Sequence, residues 1–205
     1  MKKALAVLSL AFVGAVFSAP ASADTLYSNG YVDGHFDAWD IGGGFSISDS
    51  FTLTKTSTVT GVNFGAWVDT GDSLTSVGWS IGTTPFGGTV SDASTTGTFR
   101  FANGTSFDIY TEGFSTGSLV LGPGTYYLTL QDAVTADGTI PGWDIDDGPS
   151  TAYSNLYGNV NNFLEPGTNS ESFYVYGVVP EPSSLLLMVS GLACFAGLMR
   201  GKLKT

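Results

Sequence analysis

The sequence is poor in the side chains on which many catalytic and metal sites depend. Among its 205 residues there is one cysteine, Cys194, one histidine, His35, and only seven lysines and arginines. A zinc site needs three or four cysteine, histidine or carboxylate ligands, so this composition disfavours a zinc site. Because Cys194 lies in an apolar run near the C-terminus, the rest of the chain has no disulfide and must derive its stability from a buried core. His35 stands between Asp33 and Asp37, where a lone histidine is typical of polar surface rather than of catalysis.

The N-terminal residues have the pattern of a signal peptide. Residues 1–3 are Met-Lys-Lys, an uncharged stretch follows over residues 4–17, and Ala21 and Ala23 form an Ala-x-Ala site. This pattern predicts that signal peptidase removes residues up to Ala23, so that the exported protein begins at Asp24. The alternative is an N-terminal membrane anchor, for which the apolar stretch is short.

The C-terminal residues carry a second apolar segment. The tripeptide Pro180, Glu181 and Pro182 precedes an uncharged run over residues 183–199, and residues 200–204 contain three basic side chains. As a helix the run is about 25 Å long, at the short end of what crosses a bilayer. Basic residues directly after a span stay in the cytoplasm. We therefore expect a single transmembrane helix over residues 183–199, with the preceding domain outside.

These features in this order resemble the PEP-CTERM sorting signal. The resemblance covers residues 179–204 and implies that an exosortase, a membrane-embedded cysteine protease, reads Pro180, Glu181 and Pro182. It also implies a Gram-negative host that makes extracellular polysaccharide. The precursor would be anchored in the inner membrane and later reach the cell surface or the extracellular space. On this reading residues 1–23 are a signal peptide and residues 179–205 a sorting tail. An ordinary C-terminal anchor is the alternative.

The segment between the two ends, residues 24–178, is strongly acidic. It contains 17 of the 18 acidic residues but only two of the seven basic ones, Lys55 and Arg100, which gives a net charge of −15. Such a surface repels nucleic-acid phosphates and anionic lipids, so neither is an expected partner. It is compatible with divalent cations and with neutral glycans, while solubility alone also accounts for it.

Short runs of alternating apolar and polar residues predict that residues 24–178 form one all-β domain. Within residues 62–68 every second side chain is apolar, as in a strand with one buried face. Asn103 and Gly104 predict a tight hairpin. The spacing of strands and turns indicates an antiparallel β-sandwich, and we expect a jelly-roll-like rather than an immunoglobulin-like topology. The candidate strands are residues 50–55, 59–68, 76–82, 97–101, 106–111, 118–121, 125–131 and 172–179.

Two groups of residues are candidates for ligand contact. Asp144, Asp146 and Asp147 place three carboxylates within four residues ahead of a glycine, and such oxygens can converge on calcium. The spacing is not that of an EF-hand loop, and solvated acidic turns are the alternative. Trp39 and Trp143 lie in acidic, glycine-containing segments and are candidates for glycan contact. Burial under loops is the alternative for both rings.

Two functions are compatible with these observations. The first is a non-enzymatic protein of the envelope or extracellular matrix, associated with glycan or serving structurally, with no certain cofactor besides the calcium hypothesis. The second is a secreted hydrolase that acts on polysaccharide through paired carboxylates, a chemistry that needs one acid of raised pKa beside a second carboxylate. The sequence does not pair its carboxylates in space, so we expect the first.

Overall fold

The computed structural model of the chain describes residues 23–34, 37–104, 106–157, 159–162, 170–180 and 190–191. Apart from a helical fragment at residues 190–191, the regular structure of these residues is β-strand, and the strands pair antiparallel. The prediction of an all-β antiparallel fold is confirmed. The strands are β1 (Asp24–Ser28), β2 (Ala38–Asp40), β3 (Phe45–Leu53), β4 (Ser57–Asp69), β5 (Leu74–Gly82), β6 (Ser91–Ser94), β7 (Thr96–Ala102), β8 (Phe107–Leu121), β9 (Gly124–Thr135), β10 (Gly142–Asp146), β11 (Ala152–Leu156), β12 (Asn159–Asn162), β13 (Ser170–Glu171) and β14 (Phe173–Val178).

The strands form two sheets. In the first sheet β4 is central: β14 and then β10 pair with one of its edges, and β8 pairs with the other. β1 extends this sheet beyond β14, β7 extends it beyond β8, and β2 and β13 pair with β10. The second sheet has the order β12-β11-β3-β9-β5-β6. The chain passes from one sheet to the other repeatedly, for example from β3 to β4 and from β4 to β5.

The two sheets share one hydrophobic core. Phe51 on β3 and Phe173 on β14 belong to different sheets, yet their rings meet edge to face with centroids 6.4 Å apart. Each large apolar side chain buried in this way contributes about 1.5–3 kcal/mol to folding. The alternating row predicted over residues 62–68 of β4 faces this core. Its fully buried members include Ile47, Val59, Phe64, Ala66, Val68, Val77, Leu128, Leu130, Trp143 and Val175.

The hairpin predicted at Asn103 and Gly104 is present. It joins β7 to β8, and Gly104 has a φ of 76°, which glycine adopts without strain. The two candidate strands 106–111 and 118–121 are parts of the single strand β8. Strands that are short or lack apolar alternation, such as β6 and β12, are not among the predicted ones because the period-2 signal is too weak in four residues.

The segment around Trp143 differs most from expectation. The sequence predicts acidic loops at Trp39 and from Trp143 to Gly148, whereas Trp39 lies in β2 and Trp143 in β10. Every residue of β10 is buried. Trp143 pairs with Ala66 of β4 along one edge and with Trp39 of β2 along the other, so β10 is an interior strand. Buried strands need not alternate, which is why the pattern does not reveal it.

Most of the predicted targeting residues lie outside the described residues. Of the signal peptide, residues 1–23, only Ala23 is described, and Ala21 is not. Glu181, Pro182 and the predicted span over residues 183–199 are also outside, apart from residues 190–191. Within the part of the chain that the structure describes, no helix has the length and apolar character to cross a membrane.

Candidate functional site

An open groove runs across the outer face of the first sheet. Strand register places four side-chain positions in one row: Tyr174 of β14 lies opposite Asn63 of β4, which lies opposite Gly113 of β8, which lies opposite Thr96 of β7. In the next row Tyr176 lies opposite Gly61 of β4. Because glycine has no side chain, the centre of the face is low, while tyrosines border it on one side and threonines on the other.

The groove consists of two adjoining hollows of about 580 and 300 Å³ that share Thr98 and Thr111 in their walls. The larger hollow is lined mainly by hydroxyl and amide groups, and the smaller one by Tyr174, Tyr176 and Arg100. Their combined size is in the range of sites that accept organic ligands. We call this surface the tyrosine groove.

Two stacked rings form one wall of the tyrosine groove. The rings of Tyr174 and Tyr176 have centroids 6.3 Å apart and planes inclined by 24°, and both side chains are half-buried. Partial burial, and then the neighbouring Tyr176 hydroxyl, raise the pKa of the Tyr174 phenol, which therefore stays neutral. A neutral phenol presents a flat apolar face together with a group that donates and accepts hydrogen bonds. Sugar rings offer the complementary combination of C–H faces and hydroxyls.

The tryptophans predicted to contact glycan are not in this groove. Trp143 has no exposed surface, its rings pack against Phe64 and Phe173, and its indole N–H donates to the main-chain oxygen of Ser172 over 2.9 Å. The prediction for Trp143 is wrong because β10 is an interior strand. Trp39 is half-buried and packs against the same core. The alternation Phe173, Tyr174, Val175, Tyr176 was the sequence signal for the groove, because it turns two tyrosines outward from a strand whose other face is apolar.

The carboxylates predicted to bind calcium have other partners. Asp144 accepts hydrogen bonds from Trp67, Ser172 and the main-chain N–H of Asp33 at 2.6–3.2 Å. Asp146 accepts one from the N–H of Tyr31 at 2.6 Å. These two residues thereby hold the loop after β1 on the outer face of β10. Among residues the structure describes, no group of three or more histidine, cysteine, aspartate or glutamate side chains is arranged to hold a metal.

Burial changes the protonation of this pair. It raises the pKa of Asp144 to about 6, although the hydrogen bonds from Trp67 and Ser172 act in the opposite direction. Burial also raises the pKa of Asp146 to about 6, with the neighbouring Asp147 carboxyl adding to the effect. Asp147 itself is exposed. The three carboxylates therefore have unequal environments rather than one shared centre.

A second acidic cluster lies between the sheets and was not anticipated from the sequence. Asp49 of β3 and Glu171 of β13 are fully buried, and the main-chain N–H of Glu171 donates to Oδ2 of Asp49 over 2.7 Å. Asn29 and Ser150 also contact Oδ2 of Asp49, at 3.2 and 2.8 Å. Burial raises the pKa of Asp49 to about 7 and that of Glu171 well above its ordinary value.

The comparison with protein families identifies the C-terminal segment. Residues 178–200 match the PEP-CTERM protein-sorting motif. The match indicates an exosortase substrate, an exported protein whose precursor is anchored in the membrane. No curated protein matches the chain.

The fold places the PEP-CTERM motif beside the expected N-terminus of the exported protein. β1 pairs with β14 so that Asp24 lies opposite Gly177, and Pro180 is exposed three residues further on. The residue at which export processing is expected and the start of the PEP-CTERM element therefore leave the domain at the same end. The tyrosine groove lies on the outer face of the first sheet rather than at this end of the domain. Its residue Tyr176 lies opposite Thr25 of β1 and so approaches this end.

A serine motif on β8 has the spacing of a hydrolase nucleophile but not its structure. Gly113, Ser115 and Gly117 form a Gly-x-Ser-x-Gly sequence, which in hydrolases occupies a sharp turn between a strand and a helix. Here all three residues lie within a strand. The Ser115 hydroxyl donates to the main-chain oxygen of Thr60 over 3.3 Å, and a carbonyl cannot act as a general base.

Proposed function

We propose that the chain is an exported, non-enzymatic protein of the cell envelope or extracellular matrix that associates with polysaccharide through the tyrosine groove. The observation that carries the proposal is the pair of outward tyrosines, Tyr174 and Tyr176, bordering a floor of glycine and threonine on the open face of the first sheet. The PEP-CTERM motif supports the destination, because it marks the chain for export and exosortase sorting.

The chemistry of the groove favours a neutral or weakly charged sugar chain. Its walls are hydroxyls, an amide and phenols, and Arg100 is the one cation among the residues that line the smaller hollow. The net charge of −15 for residues 24–178 repels polyanions at long range. An elongated open groove suits an extended polymer better than a small enclosed ligand, which would need deeper burial.

Binding is favoured over hydrolysis by the position of the carboxylates. Glycoside hydrolysis needs two carboxyl groups on either side of the bond that breaks. Six carboxyl groups have raised pKa values, and none of them lines the groove. Those of Asp49, Glu112, Asp144, Asp146 and Glu171 are buried, and Asp40 is half-buried. Glu112 lies between Thr111 and Gly113, so strand alternation turns it away from the groove and toward the other sheet.

We also propose that the two sheets have a jelly-roll-like connectivity. Successive strands alternate between the sheets over much of the chain, as they do from β8 to β9, β9 to β10 and β10 to β11. This alternation supports a sandwich in which long crossings join the sheets, rather than two independent meanders.

The test measures retention of the full chain, in detergent, on polysaccharide purified from the host. We expect retention without new reducing ends, and Tyr174→Ala or Tyr176→Ala should weaken it at least fivefold, or about 1 kcal/mol. Tyr157→Ala is the matched control, since that tyrosine is 77% exposed but lies beyond β11 of the other sheet. Appearance of reducing ends would favour the hydrolase instead. Equal retention of all three variants would remove the groove from the proposal.

A further inference from the structure

The acidic cluster between the sheets has an unusual distribution of hydrogen-bonding atoms around Asn29. The side chain of Asn29 is fully buried, and its Nδ2 atom lies 2.5 Å from Ser150 Oγ, 2.6 Å from Ser170 Oγ, 2.7 Å from the main-chain oxygen of Glu171 and 3.2 Å from Asp49 Oδ2. An amide nitrogen carries two hydrogens, so it can serve two of these four oxygens well. Ser150 Oγ also lies 2.8 Å from Asp49 Oδ2 and 2.7 Å from Ser170 Oγ. Four oxygens therefore crowd around one amide group, which cannot donate to all of them.

Exchanging the oxygen and nitrogen of the Asn29 amide changes the character of the cluster without changing its shape. The two ends of an amide are nearly equal in size, and only the hydrogen-bond network distinguishes them. The contact of 2.8 Å between Asn29 and the Tyr27 hydroxyl is kept, because a phenol accepts as well as donates. After the exchange, the amide oxygen of Asn29 faces four other oxygen atoms at 2.5–3.2 Å, with no nitrogen among the five.

The carboxylate of Glu171 supplies the second, independent observation. Glu171 has no exposed surface, and neither of its carboxylate oxygens has a hydrogen-bond partner. It lies opposite Ile145 in the β10–β13 pair, so its side chain shares the inner face with that buried residue. Asp49 faces the same space from the other sheet, between the buried Ile47 and Phe51 on its strand. A buried carboxylate needs a partner, and the charged groups that act on Glu171 are the carboxylates of Asp49 and Asp144.

Among the residues that the structure describes, no lysine or arginine lies beside this pair of carboxylates. Lys55 and Arg100 are the two basic residues of residues 24–178. Lys55 follows the end of β3 beside Asp24 and Val179, at the opposite end of β1 from Asn29, and Arg100 lines the outer groove. The opposing negative charges must therefore be removed by protons or balanced by a bound cation.

We infer that Asn29, Asp49, Ser150, Ser170 and Glu171 form a calcium site. The donors are two carboxylates, an amide oxygen, hydroxyls and a main-chain carbonyl, all of which are hard oxygen ligands. Calcium takes six to eight such ligands with flexible geometry, whereas magnesium prefers a smaller octahedron that keeps several waters, which an enclosed site does not favour. Zinc would require nitrogen or sulfur ligands that the cluster lacks.

The site would join segments that are distant in sequence. Asn29 follows β1, Asp49 lies in β3, Ser150 is on the crossing from β10 to β11, and Ser170 and Glu171 form β13. Calcium therefore binds only after these segments have assembled, and it stabilises the folded state by mass action. The chain would gain this stability where calcium is abundant, outside the cell, and would lack it before export.

The test compares thermal unfolding and calcium binding of the full chain in detergent. At calcium concentrations about 100-fold above Kd, we expect Tm to rise by roughly 5–10 °C relative to chelator. Equilibrium dialysis with radioactive calcium should find one bound ion per chain. Glu171→Gln keeps the shape of the side chain but removes its charge, so it should abolish both effects.

Two controls make the result specific. Glu112→Gln removes another buried carboxyl group of raised pKa and should leave the calcium effect intact. Asp147→Asn tests the alternative calcium site that the sequence suggests at Asp144, Asp146 and Asp147, and it too should leave the calcium effect intact. If Glu171→Gln fails to fold, Ser170→Ala, which removes a neutral ligand, should raise the calcium concentration for half-maximal stabilisation. Absence of a Tm shift and of stoichiometric calcium would overturn the inference, as would a shift that survives Glu171→Gln or is lost in Asp147→Asn.

Discussion

The indole N–H of Trp67 donates to Oδ1 of Asp144 over 2.6 Å, and the carboxylate has no exposed surface. Its other oxygen accepts hydrogen bonds from the hydroxyl of Ser172 and from the main-chain N–H of Asp33. One carboxylate thus connects β4, the segment before β14 and the loop after β1. Hydrogen bonds to a charged acceptor are stronger than neutral ones, so this residue fastens the outer loop to the sheet.

Replacing this carboxylate should destabilise the fold strongly. Asp144→Ala leaves the Trp67 indole and two further donors without their acceptor in a buried site, and we expect a loss of about 3 kcal/mol in the free energy of unfolding. Urea denaturation measures it. Asp147→Ala removes the same charge from an exposed position and should change stability by no more than about 0.5 kcal/mol. Equal effects of the two substitutions would contradict the structural role given to Asp144.

Filling the floor of the tyrosine groove should block ligand binding without unfolding the protein. A Cβ atom at Gly113 would meet Oδ1 of Asn63 at 2.5 Å, and that contact is with the end of a side chain that can move. Gly113→Leu should therefore be tolerated, while its side chain occupies the centre of the groove. We expect retention on polysaccharide to fall about tenfold or more, equivalent to about 1.4 kcal/mol.

The control for this substitution is Gly122→Leu. Gly122 has open space around it and lies outside the groove, so it should affect neither retention nor Tm. A Gly113→Leu protein that keeps both its Tm and its retention would show that the ligand binds elsewhere.

Glu112 should make stability depend on pH in a defined window. Burial raises the pKa of Glu112 from 4.5 to about 7 in the folded protein. Between these values the folded state holds a proton that the unfolded state releases, so the free energy of unfolding falls as pH rises from about 4.5 to about 7. Glu112→Gln should remove about 2–3 kcal/mol of this decline.

The measurement is urea denaturation of wild type and Glu112→Gln at several pH values with calcium held constant. Other buried acids contribute to the decline in both proteins, and the difference between the two isolates Glu112. Parallel curves between pH 4.5 and 7 would mean that Glu112 is not protonated in the folded state.

The sequence predicts those parts of the fold for which the signal lies within one strand or one turn. Apolar side chains alternate over residues 62–68 of β4 and 126–130 of β9, and the hairpin at Asn103 and Gly104 combines a turn dipeptide with flanking strands. These signals are local, so a single sequence reveals them. The PEP-CTERM motif is local as well, since its features follow one another directly.

The remaining features depend on partners that are remote in sequence. The sequence predicts an exposed loop at Asp144 because charged side chains are mostly exposed. In the structure Asp144 is buried, and the indole N–H of Trp67, 77 residues away, donates a hydrogen bond that compensates for this burial. Asp49 and Glu171 approach each other only because β3 and β13 lie in opposing sheets. The alternation of β14 assigns Tyr174 and Tyr176 to an outer face, but only the register with β4 places Asn63 and Gly61 opposite them.

The sorting element should depend on the shape of the tripeptide as well as on its charge. Proline fixes φ and disfavours a helical conformation in the residue before it, so we expect Pro180 and Pro182 to favour an extended tripeptide that a protease can read. In a host with an active exosortase, Pro180→Ala, Glu181→Ala and Pro182→Ala should each leave more full-length precursor in the membrane fraction. Immunoblotting and mass spectrometry of the C-terminus measure it. Pro149→Ala, an exposed proline on the crossing to β11, should be processed normally. Deletion of the exosortase should give the wild-type chain the same precursor pattern as the variants, and normal processing of all three variants would exclude the tripeptide as the element that is read.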